Sequence, residues 1–413
     1  MVIAGSLQAE QLNCTVNAEA AILMNADTGV ILFEKNAHDL HFPASITKIA
    51  TASYALKNNG DKLDEVITVE QEAVASISEE KKRKNNYEAS SYLLVPGGTH
   101  IGLKKGEEMS LIDLLYGMML ASGNDAANVI AQHIGGTIPA FVDNLNVYLK
   151  EIGCKNTTFL NPHGLHHPKH QTTAFDMAMM AKEALKDPVF RKIVATVRYP
   201  RPKTNKQEST TLVQTNRLLK KGKYFYAKAI GVKTGQTSLA GSTLVAAAKN
   251  GDRTLIAVML KCKEREDTLK DATALFDAAF NQTKVKKVLL RKGPQTFAID
   301  VPGAKNGIAT MIPEDLSIEY YPAEEPKVKS FLTWAAVTPP VKQGQPVGEV
   351  YLQTEDGTKL NSIPLLAQDN VDSTWLWSFK ETFKGGSSFL KWLGVIIALA
   401  FLGGLFLLLR RQS

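Results

Sequence analysis

"STLVAAAKNGDRTLIAVML", Ser242 to Leu260, decides how this chain is read. Two apolar runs flank Asn250-Gly251, the pair favoured where both central residues of a type I′ turn take positive φ. The stretch is therefore a hairpin of two antiparallel strands. Just upstream, "GVKTGQTS" (Gly231–Ser238) reads as a short strand, and downstream "EDTLKDATALFDAAF" (Glu266–Phe280) reads as a helix. Near the other end of the chain, "AAILMNADTGVILFEKN" from Ala20 gives a second hairpin around Asp27-Thr28-Gly29.

The residues between are helical in pattern. One helix is predicted from Ser45 to about Asn58, with Gly60 placed to end it. In "SLIDLLYGMMLASGNDAANVIAQHIGG", Ser110 and Asp113 resemble a capping box. That helix runs to about Ala121, breaks at Ser122-Gly123-Asn124, and Asp125 is suited to cap the next. A third helix is expected from Thr173 to Leu185. "SEEKKRKNNYEASS" (Ser78–Ser91) reads as a solvated charged loop. Early and late strands around a helical middle predict one α/β domain over residues 15–283, with a sheet closed by both ends of the segment.

Beyond it the pattern changes. "TFAIDV", "SIEYYP", "FLTWAAV" and "GEVYLQTEDGTKLNSIPLL" are short strands separated by Gly, Pro and Asp-Gly turns, so residues 284–370 read as a small all-β domain. Residues 371–388 read as a linker. "WLGVIIALAFLGGLFLLL" (Trp392–Leu409) is an uncharged run of 18 residues. As a helix it is about 27 Å long, close to the hydrocarbon thickness of a bilayer. With Lys391 before it and Arg410-Arg411 after it, a transmembrane anchor over residues 389–409 is expected, with residues 410–413 as a cytoplasmic tail and the bulk of the chain outside. Export needs a signal; residues 1–14 read as the remnant of one, with Ala9 near a cleavage site.

The length of 413 residues suits two domains plus extras. A net charge of +7, without zinc-finger spacing or an aromatic RNA-binding signature, suits an envelope protein near anionic lipid and gives no case for nucleic acid. Three widely spaced cysteines, Cys14, Cys154 and Cys262, form neither a disulfide framework nor a metal pair and are expected as free thiols.

"PASITK" (Pro43–Lys48) places a hydroxyl and an amine three residues apart at a helix start, where they share a face. A neutral lysine in a low-dielectric cleft can accept a serine proton. S-x-x-K occurs three times, at Ser45, Ser78 and Ser388, and a helix cap with a solvent lysine accounts for the last two. Ser45 differs by its company. Ser122-Gly123-Asn124 is the only S-x-N and Lys233-Thr234-Gly235 the only K-T-G, and the three motifs follow in the order known from penicillin-binding proteins and class A β-lactamases.

With these motifs, "NPHGL", "TTAFDMA" and the β-rich "KQGQPVGEVYLQTEDGTKLNSIPLL", nearly the whole chain resembles the low-molecular-mass penicillin-binding proteins of the D-alanyl-D-alanine carboxypeptidase type. The resemblance implies a β-lactamase/transpeptidase-like catalytic domain and a serine enzyme that removes the terminal D-alanine from peptidoglycan stem peptides. It also implies covalent inhibition by β-lactam antibiotics and a place at the bacterial cytoplasmic membrane, single-pass, with the catalytic domain outside. Ser45 would be the nucleophile and Lys48 its base. Ser122 and Lys233 would pass a proton to the leaving D-alanine, and Asn124 would orient Lys48 and bind the peptide. The amides of Ser45 and Gln236 would form the oxyanion hole, with Thr234 and Arg265 on the terminal carboxylate and His163 near the deacylation water, so that Thr234, Gly235, Gln236, Arg265 and His163 would be the substrate-binding residues. No cofactor or metal is implied, although His163, His166, His167 and His170 cluster in "NPHGLHHPKH". Asn161, Gly164 and Thr173 read as turn and cap residues.

A serine β-lactamase shares the acylation chemistry, but no glutamate between Asn124 and Lys233 (Glu151, Glu183, Glu208) stands in an E-x-x-L-N setting. A peptidoglycan endopeptidase or transpeptidase would use the same residues. A non-catalytic wall-binding protein would have no need of Ser45, Lys48, Ser122 and Lys233 together.

Overall fold

The computed structural model describes residues 12–354, 357–384 and 393–400. They fall into two compact units, one running to Thr283 and including Pro322–Glu324, the other formed by Lys284–Tyr321 and the chain from Glu325 onward.

In the first unit the elements follow as β1 (Ala20–Asn25), β2 (Ile31–Lys35), α1 (Lys48–Asn59), β3 (Val66–Thr68), α2 (Glu79–Lys84) and β4 (Glu108–Ser110). Then come α3 (Leu111–Leu120), α4 (Asn124–Gly135), α5 (Ile138–Glu151), α6 (Ala174–Ala184) and α7 (Pro188–Ala195). The unit closes with β5 (Arg198–Arg201), β6 (Thr210–Val213), β7 (Ala229–Thr237), β8 (Gly241–Asn250), β9 (Arg253–Cys262) and α8 (Arg265–Phe280). Five strands form an antiparallel sheet in the order β2-β1-β9-β8-β7. Early and late segments thus meet at its centre, where β1 pairs with β9 through Ala21↔Met259 and Leu23↔Ala257.

The strand period of two sorts the central side chains cleanly between two cores. Ile22, Met24, Val245, Ala247, Ile256 and Val258 face the helical layer of α1 and α3–α7. Leu23, Leu244, Ala246, Leu255, Ala257 and Met259 face α8, through Leu269, Leu275 and Phe276. Covered on both faces, β8 and β9 carry nearly unbroken apolar runs instead of an alternation. Asp271 of α8, buried, fastens the segment entering β1: its carboxylate accepts from Asn17 Nδ2 at 2.9 Å and from Ala18 N at 2.8 Å.

Several sequence expectations change here. Ser45 does not open an α-helix; Ala44–Thr47 is a 3₁₀ turn, and α1 begins at Lys48. Asp125 is not a cap, because α4 starts at Asn124 behind Gly123. The charged stretch at 78–91 is not wholly solvated loop. Ser78 caps α2, accepting from Lys81 N, and Lys82 is buried with its amine on Leu93 O. The three cysteines are free, and Cys154 and Cys262 are buried.

In the second unit β10 (Val285–Leu290) pairs with β13 (Leu316–Tyr320). β11 (Gly293–Ile299), β12 (Ile308–Ile312), β14 (Val328–Trp334), β15 (Pro346–Thr354) and β16 (Lys359–Ala367) form an antiparallel sheet in the order β11-β12-β16-β15-β14 around Ile312, Val347, Leu352 and Leu365. The expected linker at 371–388 contains α9 (Trp375–Lys384), whose Trp377 ring lies over Gly303. Residues 393–400 are helical. No helix among the described residues is long and apolar enough to cross a membrane. The rest of the expected anchor, the tail at 410–413, Ser388 and most of the expected leader at 1–14, including Ala9, lie outside the described residues.

Replacing Asp271 by alanine removes both contacts and leaves the buried Ala18 N–H unpaired. Stability should fall by about 1–3 kcal/mol, read as a lower denaturant midpoint with an unchanged slope.

Candidate active site

Three elements meet at Ser45. The 3₁₀ turn carries Ser45 and passes Lys48 into α1. The break between α3 and α4 carries Ser122, held at a left-handed φ of 63°, and Asn124. The edge strand β7 carries Lys233, Thr234, Gly235 and Gln236. Asp125 fixes the break. Its carboxylate, almost fully buried, accepts from four backbone amides, those of Ile101, Gly102, Leu103 and Ala126, at 2.9–3.0 Å.

Lys48 is fully buried. Its Nζ lies 2.7 Å from Asn124 Oδ1, 2.7 Å from the carbonyl oxygen of His163 and 3.0 Å from Ser45 Oγ. Burial, then the nearby Lys233 ammonium, holds this amine well below the usual lysine range, with Asp125 opposing. In the neutral form two hydrogens satisfy the two 2.7 Å acceptors. The nitrogen lone pair is then left for the Ser45 hydroxyl proton. Lys233, also fully buried, donates to Ser122 Oγ at 2.9 Å and to Thr234 O at 3.1 Å. Burial first and Arg265 second bring it down to about 7. The site thus holds two serine–lysine pairs, one poised to take a proton and one that titrates near neutrality.

Gly235 lets β7 come close to the turn that carries Ser45. A Cβ there would stand 2.9 Å from Ser45 N, 3.0 Å from Pro43 O and 2.5 Å from Thr243 Oγ1. Thr234 Oγ1 pairs with Thr215 Oγ1 at 2.8 Å, and Arg265, at the start of α8, reaches Thr215 O with Nη2 at 3.3 Å. Thr234, Thr215 and Arg265 therefore share one corner.

His163 differs from the expectation of a substrate-binding ring. It is fully buried, its Nε2 lies 3.1 Å from Tyr92 O, and its Nδ1 accepts from Leu165 N. Burial, then Lys48, holds its pKa well below the ordinary histidine range. What it gives the site is its carbonyl. Asn161 shapes that turn, accepting from Gly164 N at 2.7 Å, and Thr173 caps α6. No group of three or more His, Cys, Asp or Glu side chains that could hold a metal stands among the described residues.

Sequence reasoning missed Thr215, the four-amide role of Asp125, and the His163 carbonyl. A threonine outside any motif gives no signal. The acid beside S-x-N was visible, but three of its four partners lie 22–24 residues away.

Comparisons with known proteins show the family. Residues 6–264 match the family described as D-alanyl-D-alanine carboxypeptidase. The chain is 34% identical over 379 residues to the D-alanyl-D-alanine carboxypeptidase DacF of Bacillus subtilis, covering 89% of each chain. It is 30% identical to DacC of Escherichia coli, covering 87% of this chain and 85% of the relative. Among solved structures it resembles penicillin binding protein 6B from Escherichia coli, with a TM-score of 0.61, 25% identity, and coverage of 88% and 99%. It also resembles penicillin binding protein 5 from Haemophilus influenzae, with a TM-score of 0.58, 26% identity, and coverage of 87% and 99%.

Because protonation removes the lone pair that faces Ser45, acylation by penicillin should slow as the pH falls through the depressed pKa of Lys48. Lys233→Gln removes a positive neighbour that lowers that pKa, so the acid limb should move to higher pH. Stopped-flow acylation rates across pH read both effects, and a profile flat from about pH 5 to 9 excludes Lys48 as the base.

Proposed function

The chain belongs to the D-alanyl-D-alanine carboxypeptidase family, and from that premise we propose how its residues divide the work. The enzyme removes the terminal D-alanine from peptidoglycan stem pentapeptides through a serine acyl-enzyme, and penicillin acylates the same serine as its lactam C–N bond opens. Ser45 Oγ attacks the carbonyl between the two terminal D-alanines and gives its proton to Lys48 Nζ. The amides of Ser45 and Gln236 hold the oxyanion, a contribution of about 3–4 kcal/mol per donor. As the C–N bond breaks, the departing amine takes a proton from Ser122 Oγ, which Lys233 restores. Asn124 orients Lys48 and the peptide, and Thr234 with Arg265 holds the terminal carboxylate. Water then attacks the acyl carbon and passes its proton through Ser122 Oγ to Lys233, while Ser45 Oγ leaves with the proton held on Lys48 and the shortened peptide is released.

The observation that carries this assignment is the placement of Lys48 Nζ, 3.0 Å from Ser45 Oγ with both other nearby acceptors at 2.7 Å. Incubation with a muropeptide ending in D-Ala-D-Ala, with products weighed by mass spectrometry, should show loss of one alanine. Ser45→Ala should abolish that loss and covalent labelling by penicillin, whereas Ser78→Ala should alter neither. A labelled tryptic peptide containing Ser78 overturns the assignment.

The apolar run Trp392–Leu409, bounded by Lys391, Arg410 and Arg411, supports a single-pass anchor in the bacterial cytoplasmic membrane with the catalytic unit outside. Deleting residues 389–413 should free the enzyme from membranes and keep its turnover of a short D-Ala-D-Ala peptide. Retention on membranes after a high-salt wash removes the run as the main anchor.

A further inference from the structure

His170 lies in the same loop as His163 and is fully buried, yet the chemistry above makes no use of it. Both its ring nitrogens are committed. Leu160 N–H donates to Nδ1 at 3.0 Å, so the neutral ring carries its proton on Nε2. Nε2 stands 3.0 Å from Thr47 Oγ1, and Thr47 Oγ1 donates to Ala44 O at 2.9 Å. A hydroxyl has one hydrogen, and here it goes to Ala44 O. The His170 contact therefore runs from Nε2–H to Oγ1. The three bonds point one way, from the Leu160 amide through imidazole and hydroxyl to the Ala44 carbonyl. Phe159 stacks on the imidazole at 4.8 Å and 14°, which fixes the ring plane. Burial, then His167, His166 and Lys48, brings His170 down to about 3, so the neutral tautomer persists well below neutrality.

The end of this chain matters because of where Ala44 sits. Its φ is 52°, a left-handed alanine directly before the nucleophile. Its carbonyl belongs to the same planar peptide unit as the Ser45 N–H, and in a trans peptide the two point in opposite directions. Fixing the carbonyl aims the amide. Two other contacts bear on the same turn: Thr243 Oγ1 donates to Pro43 O at 2.9 Å, and a Cβ on Gly164, whose φ is 88°, would overlap Ala44 O.

We propose that His170 and Thr47 are positioning residues that aim and polarise the Ser45 amide of the oxyanion hole through the Ala44 carbonyl. A hydrogen bond accepted by the carbonyl draws electron density from the amide nitrogen and makes its N–H a better donor. The two residues touch neither substrate nor the reacting atoms. The proposal rests on Ser45 being the nucleophile.

The test uses a fluorescent penicillin on the full chain, resolving the noncovalent dissociation constant from the acylation rate constant, with the labelled residue found by mass spectrometry. The wild type should carry the label on Ser45; a label elsewhere sinks the nucleophile assignment, and this proposal with it. Thr47→Val keeps the side-chain shape and removes the hydroxyl. It should lower the acylation rate constant by roughly tenfold to a hundredfold, less than deleting an oxyanion donor outright, while the dissociation constant stays unchanged. Thr47→Ser restores the hydroxyl and should return the rate to within about threefold of wild type. His170→Phe should give a loss of similar size, and the double variant should be no slower than the slower single one, because both break one chain. Rates are taken well below each melting temperature. If Thr47→Val melts lower but acylates at the wild-type rate, the chain is only structural and the proposal is overturned. Failure of Thr47→Ser to rescue, or additive losses in the double variant, overturns it equally; if Thr47→Val does not fold, His170→Phe and Thr47→Ser decide alone.

Discussion

A lysine amine with no access to water sets the terms for this site. An isolated charge in a dry interior costs far more than a neutral amine does, so the group gives up its proton. Lys48 is buried at the start of α1 and Lys233 within β7; burial lowers both, the Lys233 charge lowers Lys48 further, and the Arg265 charge lowers Lys233. Neutrality in turn dictates the hydrogen-bond pattern. A neutral amine has two hydrogens to place, and Asn124 Oδ1 and the His163 carbonyl are the two short acceptors. Had a carboxylate stood in the place of either, Lys48 would remain charged and could not take a proton from Ser45.

The layers around the site keep both amines buried. Here helices cover both faces of the central strands, and β7 is pressed against the Ser45 turn at Gly235. The period of two along β7 puts Lys233 and Gly235 on one face and Thr234 on the other, where it meets Thr215 and the neighbourhood of Arg265. One short strand therefore supplies a buried amine, a close backbone approach and a polar corner. Arg265 acts on both faces, since its charge also helps lower Lys233 toward 7.

Much of this was legible in the sequence, for reasons that can be stated residue by residue. The hairpin at Asn250-Gly251 was legible because turn chemistry is local, and the three motifs because their order is specific even though each alone is weak. Capping at Ser110 and Thr173 was legible for the same local reason. The illegible parts depend on distant partners. Nothing near Lys82 announces that its amine ends on Leu93 O, and nothing near Asp125 announces three amides from residues 101–103. The sequence does not distinguish the 3₁₀ turn at Ala44–Thr47 from an α-helix start, because Ser45 and Lys48 share a face in either form. The short pairs β3–β4 and β5–β6, at three and four residues a strand, lack a period long enough to detect.

A more general asymmetry lies beneath these cases. Motifs report side chains, and here the side chains of Ser45, Lys48, Ser122, Asn124 and Lys233 are indeed what the motifs mark. Yet the positions of those groups are held by main-chain atoms: the His163 carbonyl on Lys48, the Pro43 and Ala44 carbonyls under two threonine hydroxyls, and four amides on Asp125. Every residue type offers the same carbonyl and amide, so no residue-type pattern can encode their use. What can be read is indirect. A glycine is required where a carbonyl approaches too closely for a Cβ, as at Gly164 beneath Ala44 O, and a threonine recurs where a carbonyl must be fixed. The glycine of "NPHGL" and the threonine of "PASITK" are therefore as much a part of the geometry around Ser45 as the serine and lysines that the motifs are named for.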